Sequence, residues 1–343
     1  MSLNILLLCG GDGSEHEISI KSAEFMLDNL QQNPDFNVIY SCLHQGRFML
    51  KDGSAGYFAA DGSFVMGDKA VKIDCAVPCL HGTPGETGEI QSFFKLCHIP
   101  YIGCDSYASM RCFDKVITKL CLSDLGIANT PYIWLADSSE ESLKRAAEAF
   151  ARWGDVYVKA AAQGSSIGCY HVTEASDLRD SVIEAFMYSK TVLIEQTIEH
   201  RELEVAAYEI DGRLVITKPG EIIIPTDRFY TYDEKYAQNS GSTTTVEPEG
   251  LSSEIIEQIR TMARRAFLGL QLRDLSRIDF FLTYEGEVLI NEINTFPGMT
   301  PISMFPKMLA HHGDSMPAFL HSAVMRAVRE QAGNAAQKMP VRN

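Results

Sequence analysis

Two apolar runs late in the chain, residues 276–282 and 288–294, restrict its possible folds more than any other feature. Each is seeded with polar residues at alternate places, Arg277 and Asp279 in the first, Glu292 and Asn294 in the second. Tyr284-Glu285-Gly286-Glu287 between them reads as the turn of a hairpin. With Glu285 and Gly286 at the centre of that turn, counting back sets Asp279 opposite Glu292 and Arg277 opposite Asn294. Strand alternation then puts all four side chains on one face. Carboxylates facing each other across a ladder repel, a cost that a bound cation reverses. An oxygen-only set of Asp279, Glu292 and Asn294 suits magnesium, which takes few carboxylates and completes its shell with water and phosphate oxygens. A solvated polar face is the plainer account. Against it stand the apolar neighbours and the turn-forming Thr295-Phe296-Pro297-Gly298-Met299-Thr300 that follows.

The rest of the chain has to supply a frame for such a face. Over the first hundred residues, short apolar runs at 5–9, 38–43 and 74–80 alternate with amphipathic stretches at 19–30 and 89–97. This is the pattern of a doubly wound parallel α/β sheet, taken here as residues 1–104. A helical pattern at 106–125 leads to the extended Asn129-Thr130-Pro131. A second, α+β unit, 105–197, has strands near 156–159, 168–172 and 192–195 and a helix at 175–187. The third unit, 198–330, starts with strands near 202–209 and 213–217. It contains an aperiodic polar segment, 221–248, of the length that marks lids and binding loops. Helices are expected at 252–268, 303–311 and 317–329, then a disordered tail over 331–343.

Composition bears on partners. A net charge of −15 disfavours nucleic acid and anionic lipid, and no apolar run approaches the roughly 20 residues that span a bilayer. Nine scattered cysteines without a C-x-x-C pair argue against disulfides and zinc and point to the cytoplasm. In so acidic a chain, cations at special positions become informative.

Several such positions stand out. Gly10-Gly11-Asp12-Gly13-Ser14 precedes Glu15 and Glu17 at the start of a helix, where an anion could bind or where the acids merely favour the helix end. The glycine order is not G-x-G-x-x-G, so a dinucleotide site is disfavoured. His81 follows a strand at 74–80, at the carboxyl edge where ligands gather in open α/β sheets, or it is an ordinary loop histidine. Lys159 ends a strand just before Gly164-Ser165-Ser166, and Lys115 lies on a helix. A strand-end lysine beside a small turn suits a phosphate clamp, but for either one taken singly a surface lysine is the favoured reading. Lys235 sits among Phe229, Tyr230, Tyr232 and Tyr236 in the long segment, as a lid closing on phosphate would require.

In this order the segments GGDGSEHEIS, LHGTPGETGEIQ, FDKVITK, VKAAAQGSSIG, EQTIEHRELEV, FYTYDEKY, SRIDFF and NEINTFPGMTPIS resemble the D-alanine–D-alanine ligases of the ATP-grasp superfamily, from about Asn4 to Arg329. The resemblance implies a three-domain fold with ATP between the second and third domains, and condensation of two D-alanines through an acyl phosphate for peptidoglycan precursors. It implies Lys115 and Lys159 on nucleotide phosphates, Glu195 and Glu202 on adenine and ribose, and Lys235 at the γ-phosphate. Asp279, Glu292 and Asn294 would hold two magnesium ions, with manganese as an alternative. Glu15 would bind the first D-alanine's ammonium, with His81 near its carboxylate, and Ser165 and Tyr236 would join Glu15 in shaping the closed site. Arg277 and the Gly298 amide would face the oxyanion, and Ser303 would bind the second substrate's carboxylate beside Met304. A homodimer is also implied.

The chain departs from the usual pattern at Ala160, where proline is common, at Gly13, where serine is usual, and at Thr87, where aspartate is usual. The Lys235-Tyr236 pair favours an amine over D-lactate as nucleophile. The rival readings are a D-alanine–D-serine ligase and a regulatory nucleotide-binding protein without catalysis. Retention of Lys159, Arg277, Asp279, Glu292 and Asn294 disfavours the latter.

Overall fold

The computed structural model describes residues 2–223 and 243–337, so Lys235 and Tyr236 lie outside the described residues. The chain opens with β1 (Leu3–Gly10), in which Ile5, Leu6, Leu7, Leu8 and Cys9 are all fully buried. An unbroken apolar run of this kind suits a strand covered on both faces. After α1 (His16–Leu30), β2 (Phe36–His44) pairs with β1 in parallel. The strands β3 (Arg47–Leu50), β4 (Ala55–Phe58), β5 (Phe64–Met66) and β6 (Lys69–Val71) then form an antiparallel meander. The strand β7 (Cys75–Pro78) returns to the other side of β1, again parallel, and α2 (Glu89–Leu96) follows. The first sheet is thus the expected parallel core, β2-β1-β7, extended by a meander at residues where no strand was expected.

The helical stretch expected as one piece is two, α3 (Ser106–Phe113) and α4 (Lys115–Asp124). Asp114 causes the break: its backbone is extended, at φ −83° and ψ 107°, and its carboxylate accepts from Val116 N and Ile117 N at 2.9 and 3.1 Å. It ends one helix and caps the next, which leaves Lys115 in the first turn of α4. The second sheet is antiparallel and contains β8 (Tyr132–Leu135), β9 (Val156–Ala160), β10 (Cys169–Val172) and β11 (Val192–Gln196) in the order β10-β9-β11-β8. The helices α5 (Glu140–Trp153) and α6 (Ala175–Phe186) cover it.

The third sheet is also antiparallel, with the order β15-β14-β12-β16-β17 and β13 beside β12. Its strands are β12 (His200–Ile210), β13 (Arg213–Ile216), β14 (Gly220–Ile223), β15 (Thr243–Thr245), β16 (Leu275–Thr283) and β17 (Val288–Asn294). The segment 221–248, expected as loop throughout, therefore begins in strand and regains it at Thr243–Thr245, with Ile223 and Thr243 paired. The helices α7 (Ser253–Gly269), α8 (Met304–His312) and α9 (Met316–Gln337) complete the chain. The last of these continues to Gln337, so the expected tail starts as helix.

The cores do not follow the sheets one for one. Ile5, Leu7 and Met26 from the first sheet and its helix share a cluster with Tyr208 of β12 and with Phe305 and Phe319 of the last two helices. Asp274, fully buried, pins the same junction: it accepts from Gly103 N at 2.7 Å and from the Arg326 guanidinium at 2.5 and 2.6 Å. Breaking a buried pair strands its partner. Asp274→Ala is expected to lower stability by about 3 kcal/mol in urea unfolding. Asp274→Asn, which also tolerates the left-handed backbone at φ 60°, is expected to lose less.

Candidate functional site

The acidic hairpin has the expected pairing where it matters. Asp279 lies opposite Glu292 and Arg277 opposite Asn294. The turn differs by one residue: Thr283 N donates to Glu287 O, leaving Tyr284, Glu285 and Gly286 as the loop, with Gly286 at φ +89°. Such a loop needs a left-handed third residue, which glycine supplies. A bulge then offsets the difference. Phe280 pairs with Ile290 while Asp279 pairs with Glu292, so Asn291 is the extra residue. Neither the loop nor the bulge was expected, and together they return the register to the counted one.

On this face Arg277 donates from Nε and Nη2 to the two oxygens of Asp279 at 2.8 and 2.7 Å, and its Nε lies 3.1 Å from Glu204 Oε1 on β12. Asn294 Nδ2 donates to Asp279 at 3.0 Å, and Lys115 Nζ lies 3.7 Å from Glu292. Among the described residues no three His, Cys, Asp or Glu side chains converge as a metal cage. The donor set is two carboxylates and an amide, all oxygen, which fits magnesium with its remaining positions left to water and phosphate. Glu204 escaped the sequence reading, since its place against Arg277 follows from β12 lying beside β16.

The loop after β9 joins this face to the first sheet. Lys115 Nζ donates to Gln163 O at 2.7 Å, and Ser165 Oγ donates to Glu15 Oε1 at 2.7 Å. Glu15 stands at the N-cap of α1 but makes no side-chain cap bond to it. Space is made for it: a Cβ on Gly82 would stand 2.6 Å from Glu15 Oε2, and one on Gly164 would stand 3.3 Å away. Glu86 accepts from Gly82 N at 3.0 Å; burial, with Glu15 adding to it, pushes its carboxyl up to about 8.

His81 is buried and fully engaged. Its Nδ1 lies 3.2 Å from Phe296 O and its Nε2 3.0 Å from Ser22 Oγ, which accepts from Met299 N at 3.2 Å. A neutral ring with the proton on Nδ1 satisfies all three contacts. Burial, opposed by Glu15, lowers its pKa and favours that neutral form. His81 thus braces the 296–299 segment against the first sheet. Beyond it, Ser303 precedes α8 without capping it. Its Oγ accepts from Thr300 N at 3.1 Å and lies 2.7 Å from Thr300 Oγ1. A Cβ on Gly298 would stand 3.0 Å from the same Oγ, whereas Met304 is buried against Gly220.

The second sheet contributes a separate cluster. Glu195, on β11 and buried, holds Lys119 Nζ on one oxygen and Lys159 Nζ on the other, each at 2.5 Å. Burial alone would raise the Glu195 carboxyl; the two lysines outweigh it and bring it down to about 2. Glu202, half-buried on β12, lies within electrostatic reach of Tyr157 on β9. Lys119 also escaped the sequence reading, although its spacing one helical turn after Lys115 was a usable signal.

Comparison with known proteins assigns the family. Residues 4–104 match the family model described as D-ala D-ala ligase N-terminus, and residues 121–325 match D-ala D-ala ligase C-terminus. The D-alanine--D-alanine ligase of Tolumonas auensis is 50% identical over 327 residues, covering 95% of this chain and 99% of that relative. The solved D-alanyl-alanine synthetase A from Vibrio cholerae superposes with a TM-score of 0.91 at 46% identity, covering 96% of this chain and 99% of that one. VanG D-Ala:D-Ser ligase from Enterococcus faecalis gives 0.84 at 27% identity, covering 96% and 100%. The chain therefore belongs to the D-alanine–D-alanine ligase family and has its ATP-grasp architecture.

Proposed function

We propose that this enzyme condenses two D-alanines to D-alanyl-D-alanine at the expense of ATP, through a D-alanyl phosphate. The observation that carries this reading is the contact run Glu15–Ser165, Gln163–Lys115, Lys115–Glu292. It joins a carboxylate able to take an ammonium to a face able to take phosphate and metal.

A carboxylate is a poor electrophile. Its oxygen attacks the γ-phosphorus, the bond to ADP breaks, and the acyl phosphate so formed carries a good leaving group. The free amine of the second D-alanine then adds to the acyl carbon, the carbon–oxygen bond to phosphate breaks with its electrons going to phosphate, and the nitrogen's extra proton leaves with it as hydrogen phosphate. Lys115 and Lys159 offset charge on the nucleotide phosphates, and Lys235, outside the described residues, does so at the γ-phosphate. Asp279, Glu292 and Asn294 would hold magnesium, two ions or manganese in its place, which supplies charge neutralisation when bound. Arg277, with the Gly298 amide, faces the oxyanion of the tetrahedral intermediate. Glu15, positioned by Ser165 and by Tyr236 of the undescribed segment, receives the first ammonium. His81 keeps the 296–299 segment in place beside the first carboxylate. Ser303 receives the second carboxylate next to Met304, and Glu195 and Glu202 receive the adenosine. Units 1–104, 105–197 and 198–330 serve as the domains, and a cytoplasmic homodimer supplying peptidoglycan precursors is the setting.

Purified enzyme is expected to release phosphate from ATP only with D-alanine present. Release with D-serine far above that with D-alanine would favour the activity named for VanG. Arg277→Lys keeps the charge and loses the two-pronged geometry. On the order of a hundredfold loss in kcat is expected, with a smaller change in KM for ATP.

Glu86, raised to about 8, is mostly neutral at pH 7. A carboxyl raised on folding contributes stability that is complete below its unfolded value and lost as pH rises through about 8. Glu86→Gln is therefore expected to flatten the fall in melting temperature between about pH 4.5 and 8.

A further inference from the structure

Lys119 has no place in the roles above, yet it is one of the largest fully buried side chains, 1% exposed. A lysine withdrawn this far from water needs a compensating partner. It projects from α4 one turn after Lys115. Its Nζ lies 2.5 Å from Glu195 Oε1, donates to Thr130 O at 3.3 Å and stands 5.4 Å from the centre of the Tyr132 ring. The other oxygen of Glu195 holds Lys159 Nζ at 2.5 Å. Two lysines thus share one carboxylate, and they are unequal: the Lys119 side chain is 2% exposed and the Lys159 side chain 17%. Lys159 has a path toward a ligand, and Lys119 has none.

In the proposed nucleotide site Lys159 turns to the phosphates. A lysine that does so abandons Glu195, whose side chain is only 3% exposed, and a buried carboxylate stripped of its last cation is strongly disfavoured. We propose that Lys119 is a positioning residue of the nucleotide site: it keeps Glu195 paired and in place while Lys159 passes to the phosphates. The oxygen that Lys159 leaves is then an acceptor for the exocyclic amine of the base. Lys119 itself touches no ligand. The inference rests on the nucleotide reading given above.

Lys119→Met leaves Lys159 as the remaining cation on Glu195, so binding a nucleotide has to break that pair. The Kd for ADP with magnesium, by calorimetry, is expected to rise about tenfold or more, and KM for ATP with it. The KM for D-alanine and kcat at saturating ATP are expected to stay within about twofold, a split that a general loss of folding would not produce. In a Glu195→Gln background there is no charge left to hold, and adding Lys119→Met is expected to change ADP affinity by less than about twofold. A structure of the unmodified enzyme with ADP, which does not depend on either variant folding, is expected to have Lys159 off Glu195 and Lys119 still on it. Three results would each overturn the proposal: equal losses in both backgrounds, unchanged ADP affinity in a folded Lys119→Met, or Lys159 still on Glu195 with ADP bound. Failure of the unmodified enzyme to bind ADP would instead defeat the nucleotide reading itself.

Discussion

A carboxylate taken out of water needs a compensating cation or a proton, and that requirement ties distant parts of this molecule together. The chain has 45 acidic residues against 30 lysines and arginines, so cations inside it cannot be casual. Asp274 takes Arg326, Glu195 takes Lys119 and Lys159, and Asp279 and Glu204 share Arg277. Apart from Arg277 and Asp279, neighbours on one strand, these pairs join parts of the chain remote in sequence. The first ties the opening α/β region to the final helix, the second ties α4 to the antiparallel middle sheet, and the third fixes adjacent strands of the last sheet. Pairing of buried charge thus sets the assembly and the binding face together. This is the arrangement in which ionic contacts act through specificity more than through net stability.

Strand alternation made much of the site readable in advance. The faces of Arg277, Asp279, Glu292 and Asn294 follow from a period of two, and the glycine beside the turn marks the reversal. The turn was read one residue wrong, and a bulge at Asn291 absorbed the difference; nothing local in an apolar strand announces a bulge. The helical pattern at 106–125 was visible, but the break at Asp114 was not, since an aspartate inside a periodic run reads as a polar-face residue until its carboxylate is seen capping the next turn.

What stayed hidden was long-range. Ser165 and Glu15 stand 150 residues apart, and their meeting depends on how the first sheet sits against the loop after β9. The room for Glu15 is made by Gly82 and Gly164, whose lack of a side chain has a meaning only once the neighbour is known. His81 shows the converse. Its place at a strand's carboxyl edge suited a ligand contact and an ordinary loop histidine equally, and the fold gives both ring nitrogens protein partners. Among the described residues the site is therefore an assembly of pieces mostly legible alone, Glu204 and Lys119 excepted, joined by contacts that were not.

The connection into the middle sheet carries one more consequence. Asn129 forms a parallel bridge to Ile290, and Ile290 N donates to Ala128 O at 3.0 Å, so the linker is stitched to β17 two places before Glu292. A rotation of the middle sheet would turn about that stitch. Near a pivot, arcs are short: the rim of the cleft can swing widely while Glu292 and its neighbours hardly travel.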